Sequence, residues 1–152
     1  MLNISVRKPE NEPFFNPRDK DDEWKKIADA AAKFPKNFDI PMIINGEKIY
    51  SANKVKNINP STGEILGSVQ QADEGHAKKA IEASLKAKKS WSELSPHTRI
   101  QKFRDLDVVL TKWKYEMLAT SVVECGYTSL ETLVEWAELM DFIRFNNFYY
   151  SE

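Results

Sequence analysis

The stretch from Ser129 to Tyr150 constrains this chain more than any other, because at helical spacing it is apolar on almost every side. One stripe runs through Leu133, Ala137, Met140 and Ile143, and another through Leu139, Phe142, Phe145 and Tyr149. A helix without a polar face is buried on several sides, so the rest of the fold must be built around this one. Thr128-Ser129-Leu130-Glu131 stands before it as a capping box. The sequence ends two residues further on, at Ser151-Glu152. A core helix in that position is expected to need partners beyond those the sequence itself supplies.

Upstream, two more helices are legible. Asp73 is placed to cap one that carries Ala77, Ala80, Ile81, Leu85 and Trp91 on one side, with Lys78, Lys79, Lys86, Lys88 and Lys89 solvated. Ser95-Pro96 opens the next with a cap and a first-turn proline. Its apolar positions, Ile100, Phe103, Leu106, Leu110, Trp113 and Met117, recur at spacings of three and four until Gly126 ends it.

Before these the period changes to that of strands. Ile40 to Tyr50 reads as a hairpin about Asn45-Gly46, a pair suited to the two positive φ angles of a tight turn. Val55–Ile58 and Ile65–Val69 flank the turn cluster Asn59-Pro60-Ser61-Thr62-Gly63-Glu64 and read as a second hairpin. At the start, Pro9, Pro13 and Pro17 mark Met1–Pro17 as an extended arm. Asp19, Asp21, Asp22 and Glu23 then precede Trp24, Ile27, Ala28 and Ala31, a short amphipathic helix with acids at its N-terminus, Lys33 at its end and Pro35 beyond.

The fold class expected of these elements is α+β, with an N-terminal helix, two hairpins and three long helices. Residues 1–38 form an arm and helix; residues 39–152 form a second region, with hairpins in 40–70 and helices at 73–92, 96–125 and 129–150.

Composition narrows the functions. With 41% hydrophobic and 30% charged residues the chain can build a core and is not of a disordered type. A net charge of −1 gives no basic surface for nucleic acid or an anionic membrane. No apolar run is long enough to span a bilayer, and Met1–Glu12 does not read as a signal peptide. The single cysteine, Cys125, has no partner for an internal disulfide, which favours a reducing, cytoplasmic compartment. The mitochondrial matrix stays open as an alternative, although the early acids do not suit a transit peptide.

Most catalytic constellations are missing from the sequence. His76 and His97 lie on separate predicted helices, with no His or Cys at metal-ligand spacing. Gly46, Gly63, Gly67, Gly75 and Gly126 make neither a dinucleotide fingerprint nor a phosphate loop. Cys125 sits beside Glu124 at a helix C-terminus, surroundings that do not activate a nucleophile, and is read as a small apolar cap residue. Trp24, Trp91, Trp113 and Trp136 have a spacing on helical stripes that fits core packing and are read as core, not as a stacking surface for bases. Lys86-Ala87-Lys88-Lys89 is read as a solvated helix face.

Several stretches, taken in order, resemble the opening of the aldehyde dehydrogenase superfamily. They are Ile44-Asn45-Gly46-Glu47, Asn59 to Gly67, Ala72-Asp73 with Lys79 to Ala83 and Trp91, and Ser95-Pro96 with Arg99 and Leu106 to Leu110. Ala137 to Asn146, together with Asn11-Glu12-Pro13 and Ile40-Pro41, resembles the branch that oxidises glutamate semialdehyde, the 1-pyrroline-5-carboxylate dehydrogenases. One departure is Tyr127, which follows Gly126 where the family usually has lysine.

The resemblance implies part of a Rossmann-like α/β domain that binds NAD, in a homo-oligomer or in association with the remaining dehydrogenase domains. It also implies that the catalytic cysteine, the glutamate base, the oxyanion asparagine and the residues that hold NAD lie outside this segment. In that family a thiolate attacks the aldehyde carbon, hydride passes to NAD and water releases the acid from the thioester. No catalytic, cofactor-binding or metal-binding residue is therefore expected here.

Glu138 is the one residue the resemblance assigns to substrate, at a position that helps bind the substrate's ammonium group. Helical geometry gives an independent reason: Glu138 shares a face with Phe142, Phe145 and Tyr149. A carboxylate on an aromatic stripe is expected to be partly desolvated and to seek a cation. The competing reading is a structural ion pair or simple exposure. At the level of the whole chain, the alternatives to a dehydrogenase segment are a stand-alone helical interaction module and a truncated remnant without catalysis.

Overall fold

The computed structural model describes residues 8–13 and 21–151, with the side chains of Asp21 and Ser151 outside that description. The predicted arm is therefore seen only at 8–13, and Asp19 lies outside the described residues. Contacts divide the chain into two compact units, Pro35–Leu94 and a unit joining the segment up to Phe34 to Ser95 and beyond.

The helical unit holds α1 (Asp21–Ala32), α3 (Pro96–Lys112), α4 (Lys114–Cys125) and α5 (Ser129–Ser151); the other unit holds strands β1 to β5 and α2. The core of the helical unit is Ile27, Leu118, Leu133, Trp136 and Met140, with Leu110, Tyr115, Met117 and Val122 packed against it. Thr132 ties α5 to α4 by donating its buried hydroxyl to the Leu118 carbonyl at 3.1 Å. Glu23 of α1 accepts from Tyr115 Oη at 2.8 Å and lies 3.4 Å from Lys114 Nζ, which joins α1 to α4.

The helix ends follow local chemistry. Ser95 accepts the Thr98 amide, with Pro96 in the first turn. Gly126 adopts φ 75° and closes α4 by donating to Ser121 O. Thr128 and Glu131 form the reciprocal capping box, with the Thr128 amide donating to Glu131 at 2.7 Å and the Glu131 amide to Thr128 Oγ1 at 3.3 Å.

The single helix read over 96–125 is in fact two. Trp113 stands between them at φ −101° and ψ 14°, and its amide bonds Leu110 O three residues back, where a continuing helix would reach four. Thr111, bonding back to Asp107 O at 2.9 Å, loosens the same turn. No glycine or proline marks this break. Leu110, Trp113 and Met117 keep their helical spacing through it, which is why the periodicity reads as continuous.

In the second unit β1 (Phe38–Ile40), β5 (Ile65–Gln70) and β4 (Lys54–Ile58) form one sheet, and β2 (Met42–Ile44) with β3 (Glu47–Ile49) a hairpin. Asn45 and Gly46 take φ 54° and 80°, as their turn requires. The first hairpin is narrower than Ile40–Tyr50, because Ile40 belongs to β1, which pairs in parallel with β5. That strand approaches closely: a Cβ at Gly67 would lie 2.4 Å from Phe38.

The helix α2 (Glu74–Ser92) is capped by Asp73, and His76 completes the box by accepting the Asp73 amide at 3.3 Å. Its expected buried stripe is present but uncovered: Ile81 is 60% exposed and Leu85 64%. The tryptophans separate likewise. Trp136 is core, whereas Trp24, Trp91 and Trp113 are largely exposed. No helix among the described residues is long and apolar enough to cross a membrane.

Candidate functional site

Two faces of α5 have different surroundings. Leu133, Trp136 and Met140 point into the core. Val134, Ala137, Glu138, Asp141, Phe142 and Phe145, which recur at spacings of three and four, form one wall of an open groove of about 960 Å³. The other wall is the N-terminal arm at Asn11, Glu12 and Pro13. Beyond the groove the aromatic stripe continues, with the rings of Phe145 and Tyr149 6.5 Å apart.

The structure brings Glu138 together with Phe142 and Phe145 in this groove, while Tyr149 lies outside its lining. Glu138 itself is exposed and not partly desolvated as expected. Phe142 beside it is 59% exposed, so the aromatic stripe leaves its carboxylate in contact with solvent. Among the described residues it has no hydrogen-bond or ion-pair partner.

Two other carboxylates of the groove are engaged. Asp141 accepts the Glu12 amide at 2.6 Å. Glu12 itself pairs with Arg144 through Nη1. Arg144 also grips Asp107 of α3 with both teeth of its fork, Nε to Oδ2 at 3.0 Å and Nη2 to Oδ1 at 3.2 Å. The hydrogen bonds to Asp107 raise the Arg144 pKa above its ordinary value, burial works against that rise, and Glu12 adds to it. The guanidinium is thus committed to two anions and is not spent on Glu138.

These partners were not visible in the sequence as a set. Glu12 and Arg144 are 132 positions apart, and neither side chain belongs to a local pattern. The one available signal was indirect: both lie in segments that resemble the pyrroline-carboxylate branch. Cys125, read as an apolar cap residue, is exposed instead. His76 serves the cap of α2, and His97 is exposed near the start of α3.

The arrangement can therefore receive a small cation. An unpaired carboxylate stands on a wall of aromatic and aliphatic side chains, open to solvent on one side.

Comparison with known proteins agrees with this fold. Residues 48–151 match the aldehyde dehydrogenase family. The chain is 33% identical over 108 residues to 1-pyrroline-5-carboxylate dehydrogenase of Staphylococcus aureus, covering 70% of this chain and 21% of that protein. It superposes on the NAD-bound Δ-pyrroline-5-carboxylate dehydrogenase of Mycobacterium tuberculosis with a TM-score of 0.85 at 25% identity, covering 97% of this chain and 29% of the other. The corresponding values for proline utilization A of Bdellovibrio bacteriovorus, inactivated by N-propargylglycine, are 0.82, 26%, 95% and 15%.

With 104 consecutive residues matching, 48 through 151, the chain belongs to the aldehyde dehydrogenase family. Its likeness within that family is to the N-terminal portion of 1-pyrroline-5-carboxylate dehydrogenases. It spans between a fifth and rather more than a quarter of the curated relatives it matches, 21% of one and 27% of another.

NAD is bound in the Mycobacterium structure. Gly46 and Gly63 turn hairpins at positive φ, Gly126 ends α4, and the space beside Gly67 is filled by Phe38. Gly75 stands in the first turn of α2, shortly after β5, with the capping carboxylate of Asp73 beside it.

Proposed function

We propose that this segment is the N-terminal part of an NAD-dependent dehydrogenase that oxidises glutamate semialdehyde to glutamate in proline breakdown. In this reading the segment holds no catalytic residue. The thiolate, the base and the cofactor site belong to the remainder of the dehydrogenase fold, and NAD supplies the hydride acceptor there. This segment contributes the wall of the substrate channel, where Glu138 receives the substrate's ammonium group.

The observation that carries the reading is the state of Glu138. It stands unpaired among Phe142 and Phe145, with the neighbouring cation, Arg144, already occupied. A second observation supports the wider reading. Ile81 and Leu85 of one unit, and Val108, Trp113 and Phe142 of the other, are each more than half exposed.

The test is Glu138→Ala in the dehydrogenase that carries this segment. KM for glutamate semialdehyde should rise about tenfold, or roughly 1.4 kcal/mol, near the lower end of what a single charge-assisted contact is worth, while KM for an unsubstituted aliphatic aldehyde stays within about twofold. Equal effects on the two substrates would refute the assignment. A native polypeptide no larger than 17.5 kDa, detected with an antibody to this segment, would instead turn the reading to a non-catalytic helical interaction module.

A further inference from the structure

The two segments that carry the branch resemblance, Asn11-Glu12-Pro13 and Ala137 to Asn146, are in direct contact. Their contact is built from both backbone and charge. The Glu12 amide is held by Asp141, and its carboxylate by Arg144. Pro13 adds a third restraint, because a residue before proline is held to extended backbone. Arg144 is itself fixed to α3 through the two-point pairing with Asp107, so the arm is tied to two helices at once. All three side chains are sheltered, at 17% exposure for Glu12 and 27% for both Arg144 and Asp107.

The consequence falls on Glu138. The arm is the wall that faces it, and without that wall the groove is one side of an exposed helix. The clamp also determines which carboxylate is left over. Glu12 is paired with Arg144, and Asp141, still charged, accepts an amide, so Glu138 is the carboxylate of the groove left without a hydrogen-bond partner among the described residues.

We propose that Arg144 is a positioning residue, which by clamping Glu12 to Asp107 keeps the arm closed against α5 and so makes the groove selective for a short ligand bearing an ammonium group. This rests on the reading of Glu138 given above. Lysine in its place can reach one carboxylate as a point charge but cannot hold both with a planar fork, so it should restore the clamp only in part.

The test uses the full dehydrogenase chain that carries this segment, with two probes. L-norvaline has the ammonium and α-carboxylate of the proposed substrate with an uncharged tail; valerate lacks only the ammonium. Binding is followed by chemical shift, and arm closure by hydrogen exchange at the Glu12 amide. The unmodified chain should prefer norvaline by roughly twofold to fivefold, the worth of one exposed ion pair. Glu12→Gln and Arg144→Ala should each speed exchange at Glu12 by about tenfold or more, as expected when an amide loses a restraining partner, and bring the preference close to one. Arg144→Lys should recover part of both.

Glu12→Gln leaves the Arg144–Asp107 pair intact and so guards against a simple folding failure. Faster exchange with the preference unchanged would overturn the proposal and leave the reading of Glu138 standing. Unchanged exchange in both variants would overturn the clamp itself. No preference in the unmodified chain would refute the reading of Glu138, and the selectivity role with it.

Discussion

Helix α5 is apolar nearly all round, yet the structure uses its faces unequally, and two substitutions two residues apart should expose the difference. Met140 is 0% exposed and touches the core formed with Ile27, Leu118, Leu133 and Trp136. Met140→Ala removes those contacts and opens a cavity, for which about 2–5 kcal/mol is usual. Helix propensity returns almost nothing, because methionine is already a good helix former. Phe142 is 59% exposed, so less than half of its surface is covered. Phe142→Ala should cost roughly 1 kcal/mol, since a fully buried phenylalanine costs about 3–5 kcal/mol and alanine recovers about 0.5 kcal/mol of propensity. Urea unfolding of the 152-residue chain, followed by far-ultraviolet circular dichroism, measures both. With a slope of about 1–3 kcal/mol per molar urea, Met140→Ala should shift the midpoint by about 1 M or more, and Phe142→Ala by a few tenths. Equal shifts, or a larger one for Phe142, would mean that α5 presents a different face to the core and that the groove containing Glu138 is wrongly placed.

Two further outcomes test the rest of the fold. Gly67→Ala should destabilise the chain by roughly 1–3 kcal/mol, because the new methyl group would meet Phe38 at 2.4 Å and must push β1 away from β5; a neutral result in the same urea assay would argue against the parallel pairing. Acid should also destabilise. Burial raises the Glu23 pKa, but the hydrogen bond from Tyr115 and the charges of Lys114 and Lys26 outweigh it, leaving the folded value below the ordinary one. A pKa lowered by folding contributes stability above the unfolded value and loses it as pH falls through the folded one. Asp39, held down first by Lys54 and then by Ser68, and Asp73 and Glu131, held down first by backbone amides, act in the same direction. The melting temperature should therefore fall below about pH 4, and Tyr115→Phe should make that fall shallower; an equally steep fall in the variant would remove Glu23 from the account.

What was legible in the sequence was local. Asn45-Gly46 gives a tight hairpin, Ser95-Pro96 opens a helix, Gly126 closes one and Thr128 with Glu131 caps another, because each rests on backbone chemistry within four residues. What was not legible depends on distant partners. Strand β1 exists because Phe38–Ile40 finds β5 some thirty residues later, with Gly67 leaving room for Phe38. The exposed stripe on α2 shows the other side of the same limit. Ile81, Leu85 and Trp91 carry the correct spacing, and spacing identifies a face that can be buried without naming what buries it. Trp24 and Trp113 were misread as core for that reason. The break at Trp113 leaves no mark in the sequence, because the apolar periodicity of Leu110, Trp113 and Met117 passes through it undisturbed.

The site shows the same division in one place. Glu138 could be put on a face with Phe142 and Phe145 from helical geometry alone, and that juxtaposition holds. Its environment could not, because two of the groups that decide it come from elsewhere in the chain. Glu12 arrives on the arm and Asp107 from α3, and Arg144 joins them six residues beyond Glu138 on α5. Glu138 stands without such a partner on the wall of Phe142 and Phe145, while Arg144 is held by Asp107 and Glu12, and in the proposed reading that leaves its carboxylate for a ligand.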